Sequence, residues 1–265
     1  MAPLWQDVYD SLVERALIPT GASVLDVGAG TGETAIRASK FAGPSGRVIG
    51  VDREEQMLGI ARRKARALHL GNLEFKEMSF EELALDDRSF DRVIGNYSIC
   101  CCSSYDDALS ECLRVLKPGG TMTFNQSGPF EPLEFQIAFD TFEKYKTKRP
   151  SERLRDNRKA DIAQKKAVEK YRDPFVTLSA MRKIGFKDVE ANISQRTIRY
   201  KDVGAFLDRM LAFSWHNEAD EMPMESVEGF RAEATNSLKP YSTTAGFLVR
   251  DEMITYTGRR SDGGA

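Results

Sequence analysis

The chain has 265 residues, 41% of them hydrophobic and 29% charged, and 38 lysines and arginines against 40 aspartates and glutamates give a formal net charge of −2. A chain of this length can bury a large core without disulfides or a structural metal. The first residues lack the basic and apolar regions of a signal peptide, and no stretch reaches the roughly 18 apolar residues of a membrane span, so we expect a soluble, cytoplasmic protein.

Short apolar runs alternate with helical patterns through the first half of the chain. Four runs are typical of buried parallel strands: residues 24–27, 48–52, 93–96 and 121–124. Apolar residues recur at three- and four-residue spacing in three intervening segments, which predicts helices at residues 34–41, 54–70 and 105–116. Alternation of this kind predicts a doubly wound α/β sheet, with a ligand site at the carboxyl ends of its strands.

The pattern changes after residue 127. Residues 144–172 are compatible with helix but weakly apolar, so we expect a helical insertion outside the sheet. Beyond it the sequence predicts a helix at residues 175–184, a strand at 189–200 and a second helix at 202–215. A polar loop, a final strand at residues 246–256 and a flexible tail at 261–265 are predicted to follow. The predicted domains are an α/β domain of residues 1–127 and 175–260 and a helical cap of residues 128–174 with 201–240.

The inserted segment is strongly basic. Residues 144–172 hold twelve lysines and arginines against four acids, a local excess of eight positive charges that leaves −10 for the rest. One interpretation is a solvated helical lid. The other is a docking surface for an anionic acceptor or for RNA.

Histidine and cysteine are sparse in this sequence. His69 and His216 lie far apart, and three of the four cysteines are the adjacent Cys100, Cys101 and Cys102. Neither spacing is typical of a metal site or of a disulfide framework. We therefore expect no bound metal and a reducing compartment.

The strongest motif is a strand that runs directly into a glycine turn. The turn reads Gly28-Ala29-Gly30-Thr31-Gly32, with a G-x-G-x-G spacing, whereas the dinucleotide fingerprint needs its third glycine at position 33, which is Glu33. An acid at the start of a helix disfavours a pyrophosphate there, so the motif predicts a cofactor without phosphates. Twenty residues past Gly32, Asp52 ends the second apolar run, where a carboxylate can accept both hydroxyls of a ribose.

These residues resemble the class I S-adenosylmethionine-dependent methyltransferases, and within them the small-molecule group called type 11. The resemblance covers about residues 20–127 and rests on four motifs in order: Leu25-Asp26-Val27-Gly28-Ala29-Gly30-Thr31-Gly32, Gly50-Val51-Asp52, Ser89-Phe90-Asp91-Arg92-Val93 and Leu113-Arg114-Val115-Leu116-Lys117-Pro118-Gly119-Gly120. It implies a Rossmann-like, mostly parallel seven-stranded sheet with a helical cap that forms the acceptor pocket. It also implies methyl transfer from S-adenosylmethionine to a small organic acceptor, with S-adenosylhomocysteine as the product.

The resemblance implies a set of cofactor-binding residues. The glycine turn wraps the methionine, Asp52 holds the ribose, Arg53 and Met57 lie by the adenine, and Asn96 faces the methionine end. The complete set is Asp26, Gly28, Ala29, Gly30, Gly32, Asp52, Arg53, Met57, Ser79, Phe80 and Asn96. Ser79 and Phe80 stand where the family often has an aspartate near the adenine amino group, so Ser79 is expected to be a weaker acceptor, while Phe80 could donate its backbone N–H or stack. Lys117 to Gly120 is expected to be the turn before the fifth strand.

Methyl transfer from a sulfonium depends mainly on alignment of the nucleophile and less on catalytic side chains. A base is required only if the acceptor must lose a proton, and the candidate bases are Tyr97 and His216. The alternative for His216 is an ordinary loop histidine. The cysteine triplet is interpreted as pocket wall or core, with a thiol or arsenical site as the alternative; arsenite methyltransferases also need cysteines elsewhere, and this sequence has none outside residues 100–112.

Other functions remain open at this point. Against RNA methylation stand an isoelectric point of about 5.9 and the sequence Asn-Tyr-Ser-Ile at Asn96, where enzymes acting on adenine amines have Asn-Pro-Pro-Tyr. A cofactor-binding regulator without turnover would carry the same cofactor motifs. The sequence leaves the acceptor, the methylated atom, the oligomeric state and any movement of the cap open.

Overall fold

A computed structural model describes residues 6–262 of the protein. Its strands are β1 (Ser23–Val27), β2 (Arg47–Asp52), β3 (Leu73–Glu77), β4 (Phe90–Asn96), β5 (Leu116–Ser127), β6 (Lys187–Tyr200), β7 (Ser242–Thr243) and β8 (Gly246–Arg259). Its α-helices are α1 (Gln6–Arg15), α2 (Glu33–Ala42), α3 (Glu55–Ala67), α4 (Tyr105–Val115), α5 (Leu133–Tyr145), α6 (Glu152–Val168), α7 (Pro174–Ile184), α8 (Val203–Arg209), α9 (His216–Ala219) and α10 (Met224–Leu238). Across residues 6–262, every helix is too short or too polar to cross a membrane.

Among the described residues the sheet has eight strands: seven lie in the order β3-β2-β1-β4-β5-β8-β6, and the two-residue β7 pairs with the start of β8. The first five strands in this order pair in parallel, and β8 pairs antiparallel with β5. This arrangement confirms the predicted mostly parallel α/β sheet. Helices α2, α3 and α4 form the crossovers from β1 to β2, from β2 to β3 and from β4 to β5, whereas residues 78–89 connect β3 to β4 without an α-helix.

Helices cover both faces of the parallel part of the sheet. Because successive side chains of a strand point to opposite faces, Val24 packs in one core cluster with residues of α1, α2 and α3, while Leu25 and Val27 pack in the other with residues of α4 and α7. All three side chains are fully buried. The continuous apolar run of β1 is explained by this burial on two sides.

The strand order reverses between β1 and β4. From this central pair the chain proceeds to β2 and β3 on one side and to β5 on the other. Asp26 of β1 pairs in register with Ile94 of β4, so the glycine turn after β1 and Asn96 at the end of β4 lie at the same edge of the sheet. Such a reversal leaves a crevice at the carboxyl ends of the strands, where open α/β sheets bind ligands.

The structure differs from the local predictions at four places. No strand was predicted at β3, because this edge strand buries a single side chain, Phe75, and shows little apolar pattern. Residues 117–120 form no turn before the fifth strand: β5 already pairs at Leu116 with Phe90, and these residues bulge before pairing resumes at Thr121. The stretch after residue 215, predicted as a polar loop, contains α9 and α10. The helix predicted to Trp215 ends as α-helix at Arg209 and continues as a π-helical segment, Met210–Ser214.

The chain divides into two compact units. The first contains residues 6–129, 166–194 and 253–262, and the second contains Phe130–Lys165 and Gln195–Glu252. The second unit has its own aromatic core, in which the Phe142 ring stacks on Trp215 with centroids 4.5 Å apart and meets Phe230 of α10 edge-on at 5.2 Å. Its boundaries differ from those predicted for the cap, because it includes the ends of β6 and β8. The predicted flexible tail falls partly on residues 263–265, outside the described residues.

Candidate functional site

The turn after β1 can be made only with glycine at two of its positions. Gly28 has a φ of +67°, and a Cβ there would lie 2.3 Å from the Cβ of Ser98. Gly32 has a φ of +84° and precedes α2, and a Cβ there would lie 2.8 Å from the Cβ of Ala61. Left-handed backbone combined with such close neighbours excludes any side chain. The glycine spacing of the motif is therefore a requirement of the turn itself.

Asp52 is bound directly to the glycine turn. Its Oδ2 accepts the backbone N–H of Gly30 at 2.8 Å, and its Oδ1 accepts that of Glu54 at 3.0 Å. The backbone N–H of Ala29 donates to the carbonyl of Val51 at 2.9 Å, which ties the turn to β2. The structure thus brings together two parts of the predicted site. Each carboxylate oxygen can accept further hydrogen bonds, so Asp52 can still receive two hydroxyls.

Buried polar atoms collect at the carboxyl ends of β1 and β4. Within residues 6–262, neither carboxylate oxygen of Asp26 has a hydrogen-bond partner of standard geometry, nor has Oδ1 of Asn96 or Oγ of Ser98. Burial raises the pKa of Asp26 well above its ordinary value; the backbone N–H of Ala35 acts in the opposite direction, and the charge of Asp52 adds to the rise. Buried polar groups are normally paired. Four orphaned atoms beside a glycine turn fit a site for a polar ligand.

The negative charge of Glu33 is balanced by two cationic side chains of the protein, Lys64 and Arg37. Its carboxylate accepts Nζ of Lys64 at 2.7 Å and a guanidinium nitrogen of Arg37 at 3.0 Å. Burial acts to raise the pKa of Glu33, but the hydrogen bonds from Lys64 and Arg37 outweigh it and hold the pKa below its ordinary value. Lys64 also donates to the carbonyl of Thr31 at 3.0 Å, bracing the glycine turn. A paired Glu33 repels phosphates less than the sequence argument assumed, so the case against a dinucleotide rests on the absence of the third glycine.

The candidate adenine neighbours lie around Asp52. The side chain of Met57 is 44% exposed, and its sulfur lies 3.9 Å from where a Cβ of Gly30 would stand. Arg53 is exposed. The backbone N–H of Met78 donates to the carbonyl of Asp52 at 3.0 Å, which brings the segment with Ser79 and Phe80 to β2. The Ser79 hydroxyl already accepts the N–H of Glu81 at 3.2 Å, and Phe80 packs against the core.

The two candidate bases belong to different units of the molecule. Tyr97 follows β4 with a φ of +52°, and its backbone N–H donates to both the carbonyl and the side-chain oxygen of Asn125, each at 3.1 Å. Its side chain is half-buried. His216 is the first residue of α9 in the second unit, and its side chain is exposed.

Sequence reasoning missed three residues that support the site. Ser98 packs against Gly28, Asn125 holds the backbone of Tyr97, and Lys64 braces the turn. Ser98 could have been suspected, because it follows Asn96 by two residues. Because Lys64 is 33 residues from the carbonyl that it binds, no local sequence pattern predicts this contact.

The four cysteines differ in their surroundings. Cys112 of α4 is fully buried in the core, as predicted, and Cys102 is 1% exposed in the same cluster. Cys101 is exposed and Cys100 is half-buried. Among residues 6–262, no group of three or more histidine, cysteine, aspartate or glutamate side chains has the geometry to hold a metal ion.

Comparisons with known proteins identify the family of the chain. A family described as a methyltransferase domain matches residues 24–120. The chain is 33% identical over 175 residues to demethylmenaquinone methyltransferase of Lactococcus lactis, covering 64% of this chain and 68% of that protein. It is 40% identical over 121 residues to the ubiquinone/menaquinone biosynthesis C-methyltransferase of Brucella anthropi, covering 45% and 46%. In several other curated relatives, the match spans about half of their length or less.

Structural comparison gives the same fold. The YcgJ protein of Bacillus subtilis superposes with a TM-score of 0.61, and the match covers 96% of this chain and 98% of that one. Its sequence identity of 18% supports the fold alone. From the sequence relatives, the methyltransferase domain and this fold, we conclude that the chain belongs to the class I S-adenosylmethionine-dependent methyltransferases.

Proposed function

We propose that the protein methylates a ring carbon of a small aromatic acceptor of the quinol type, with S-adenosylmethionine as the donor. The cofactor assignment is supported by the hydrogen bond between Asp52 and the glycine turn. Near this turn, several buried polar atoms within residues 6–262 have no hydrogen-bond partner. The acceptor class is supported by the relatives, whose names specify demethylmenaquinone and C-methylation.

The residues at the strand ends match the separate chemical groups of S-adenosylmethionine. Asp52 has acceptor capacity left for the ribose hydroxyls, and the side-chain-free backbone of Gly28 and Gly30 permits close approach of the methionine portion. Asp26 and Asn96 present buried acceptor atoms to its ammonium group. A positive charge beside Asp26 would favour the ionised carboxylate and offset its desolvation. When bound, S-adenosylmethionine supplies a methyl group activated by a positively charged sulfur.

On the acceptor side, the protein has to hold the ring carbon in line with the methyl group and exclude water. Carbon methylation of a quinol also requires loss of a proton, so a base or a hydrogen-bonding hydroxyl assists. We assign this role to Tyr97, which follows Asn96 at the end of β4, with His216 as the second candidate. The helical segments 128–174 and 201–240 are proposed to form the acceptor pocket, and the cytoplasm is the proposed location.

The alternative acceptors have weaker support. An arsenical site would need further thiols, and both Cys102 and Cys112 are buried. RNA would have to use the basic segment 144–172, much of whose charge is paired. A regulator without turnover would bind the cofactor equally well, so product formation decides that question.

The cofactor assignment is tested by calorimetric titration with S-adenosylmethionine, S-adenosylhomocysteine and NADH. We expect micromolar binding of the first two and none of the third. The Asp52→Ala variant should bind S-adenosylmethionine about five- to 150-fold more weakly, roughly 1–3 kcal/mol, because hydrogen bonds to a charged group are lost. Glu74→Ala, which removes an exposed carboxylate of β3, is the control and should bind normally. Equal affinities of the Asp52→Ala variant and the parent would disprove the ribose assignment.

The acceptor is tested with a reduced, short-chain demethylmenaquinone analogue, S-adenosylmethionine and detection of the product by mass spectrometry. We expect one methyl group on a ring carbon. Methylation at a ring oxygen would keep the enzyme class but overturn the carbon assignment. Binding of the cofactor without any product from a panel of quinols would overturn the acceptor class.

A further inference from the structure

Two thiols lie side by side in the turn that follows β4. The chain from Ile99 to Cys101 forms one turn of 3-10 helix, and the sulfurs of Cys100 and Cys101 are 3.9 Å apart. Both thiols approach the carbonyl oxygen of Tyr97, at 3.4 and 3.5 Å. The backbone N–H of Cys101 donates to the carbonyl of Ser98 at 2.8 Å, which sets the turn. The shared contact with the carbonyl of Tyr97 thus places both sulfurs on the same side of the turn.

The surroundings of the two sulfurs are unequal. The hydrogen bond from Cys100, together with the charge of Arg53, lowers the pKa of Cys101 to about 7 against the opposing effects of burial and of Asp52. The same hydrogen bond and burial raise the pKa of Cys100. With this pKa, about half of the exposed Cys101 is thiolate at pH 7, while the raised pKa of Cys100 keeps its thiol protonated beside it. A thiolate is the reactive form of cysteine.

The other two cysteines provide an internal contrast. Cys102 is 1% exposed and Cys112 is fully buried, and burial raises the pKa of Cys102 to about 12 and that of Cys112 further. Buried, protonated thiols are inert. Reactivity is therefore confined to the first two residues of the cysteine triplet.

We propose that Cys100 and Cys101 form a modification site for hydroperoxides, which oxidise the pair to a disulfide between the two adjacent residues. The Cys101 thiolate attacks one peroxide oxygen, so that an S–O bond forms, the O–O bond breaks and the second oxygen leaves as water or an alcohol after taking up a proton. The Cys100 thiol then attacks the resulting sulfenic sulfur, the S–S bond forms, and the hydroxyl leaves as water with the proton of Cys100.

Overall, the two reaction steps transfer two electrons from the thiols to the hydroperoxide. The thiol pair loses two electrons and two protons, and one hydroperoxide is reduced to water and water or an alcohol. The sulfurs must close from 3.9 Å to about 2.05 Å, and because the Cα atoms of adjacent residues are only about 3.8 Å apart, short of the roughly 4.4–6.8 Å usual for disulfides, the eight-membered ring that forms is strained. The product lies at an exposed turn, and exposed disulfides are the labile ones. We therefore expect a dithiol reductant to restore both thiols.

The test treats the reduced protein with about one equivalent of hydrogen peroxide, alkylates the remaining thiols and analyses the peptides by mass spectrometry. We expect loss of two hydrogens from the peptide with Cys100 and Cys101, reversal by dithiothreitol, and unmodified Cys102 and Cys112. Cys101 should react roughly tenfold faster than an ordinary exposed cysteine at neutral pH, because more of it is thiolate.

Variants separate the two roles. Cys101→Ser should abolish oxidation, and Cys100→Ser should stop at a sulfenic acid on Cys101, trapped by dimedone. Cys102→Ala is the matched control within the triplet and should oxidise as the parent does, with circular dichroism confirming that each variant is folded. Oxidation of Cys101→Ser at the parental rate would overturn the proposal, as would a disulfide between two chains.

Discussion

Gly28 shows how a single residue is determined by its surroundings. The left-handed φ of +67° and the Cβ of Ser98 at 2.3 Å exclude a side chain at this position. Sequence reasoning identified the glycine from the motif, but the reason for it lies 70 residues away in the turn after β4. The same holds for Asp52, whose place at the end of β2 was predictable, while its hydrogen bonds to Gly30 and Glu54 were not.

We expect Gly28→Ala to lower the free energy of unfolding by roughly 2–4 kcal/mol, because the strained backbone and the clash with Ser98 add. Denaturant unfolding measures this, and binding of S-adenosylmethionine should be lost in parallel. Gly59→Ala is the control: Gly59 lies inside α3, with only a guanidinium nitrogen of Arg63 within 4 Å of its Cβ position. It should stabilise the protein by about 0.5–1 kcal/mol. Parental stability of Gly28→Ala would show that the turn can relax.

At the scale of elements, the start of α7 was predicted to within one residue, and the structure shows a cap there. Asp173 precedes Pro174, the first residue of α7, and its Oδ1 accepts the N–H of Phe175 at 2.8 Å. Aspartate at the cap and proline at the first position are strong start signals. α10 has no capping side chain after Pro223, but its buried residues Phe230, Ala234 and Leu238 recur every four residues, which is a helical spacing. The prediction of a polar loop overlooked this period among the polar residues of the segment.

Asp173→Ala should cost about 1 kcal/mol of stability, the usual value of a helix cap, while Asp173→Asn should cost little, because asparagine caps equally well. Thermal or denaturant unfolding followed by circular dichroism checks both. Asp161→Ala, an exposed substitution in the middle of α6, is the control and should stay within about 0.5 kcal/mol of the parent. Equal losses for the alanine and asparagine variants would show that the hydrogen bond is not the cause.

For the molecule as a whole, the distribution of charge differs from what the basic segment 144–172 predicted. Four of its cations pair with acids from outside the segment: Lys144 with Glu233, Lys146 with Glu143, Arg153 with Glu221 and Arg158 with Glu218. These acids reduce the local excess from eight positive charges to four. The field that an RNA backbone would meet is correspondingly weaker.

We therefore expect only non-specific binding of RNA, no tighter than about 10⁻⁴–10⁻⁶ M at physiological salt. Fluorescence anisotropy of a short labelled RNA at several salt concentrations measures it. Glu233→Gln, which releases Lys144, should strengthen binding slightly at low salt. Nanomolar binding with a steep salt dependence would contradict this picture and revive the RNA alternative.

The sequence by itself determined the α/β alternation, the glycine turn and the acid at the end of β2, because each depends on local periodicity or on a residue type that a turn requires. Tertiary structure alone decided which distant residues complete the site. Ser98 against Gly28, Lys64 at the carbonyl of Thr31 and Asn125 beneath Tyr97 are contacts between segments 28 to 70 residues apart. The bulge of β5 and the edge strand β3 likewise depend on the strands beside them, since pairing in a sheet is a property of two segments and not of one.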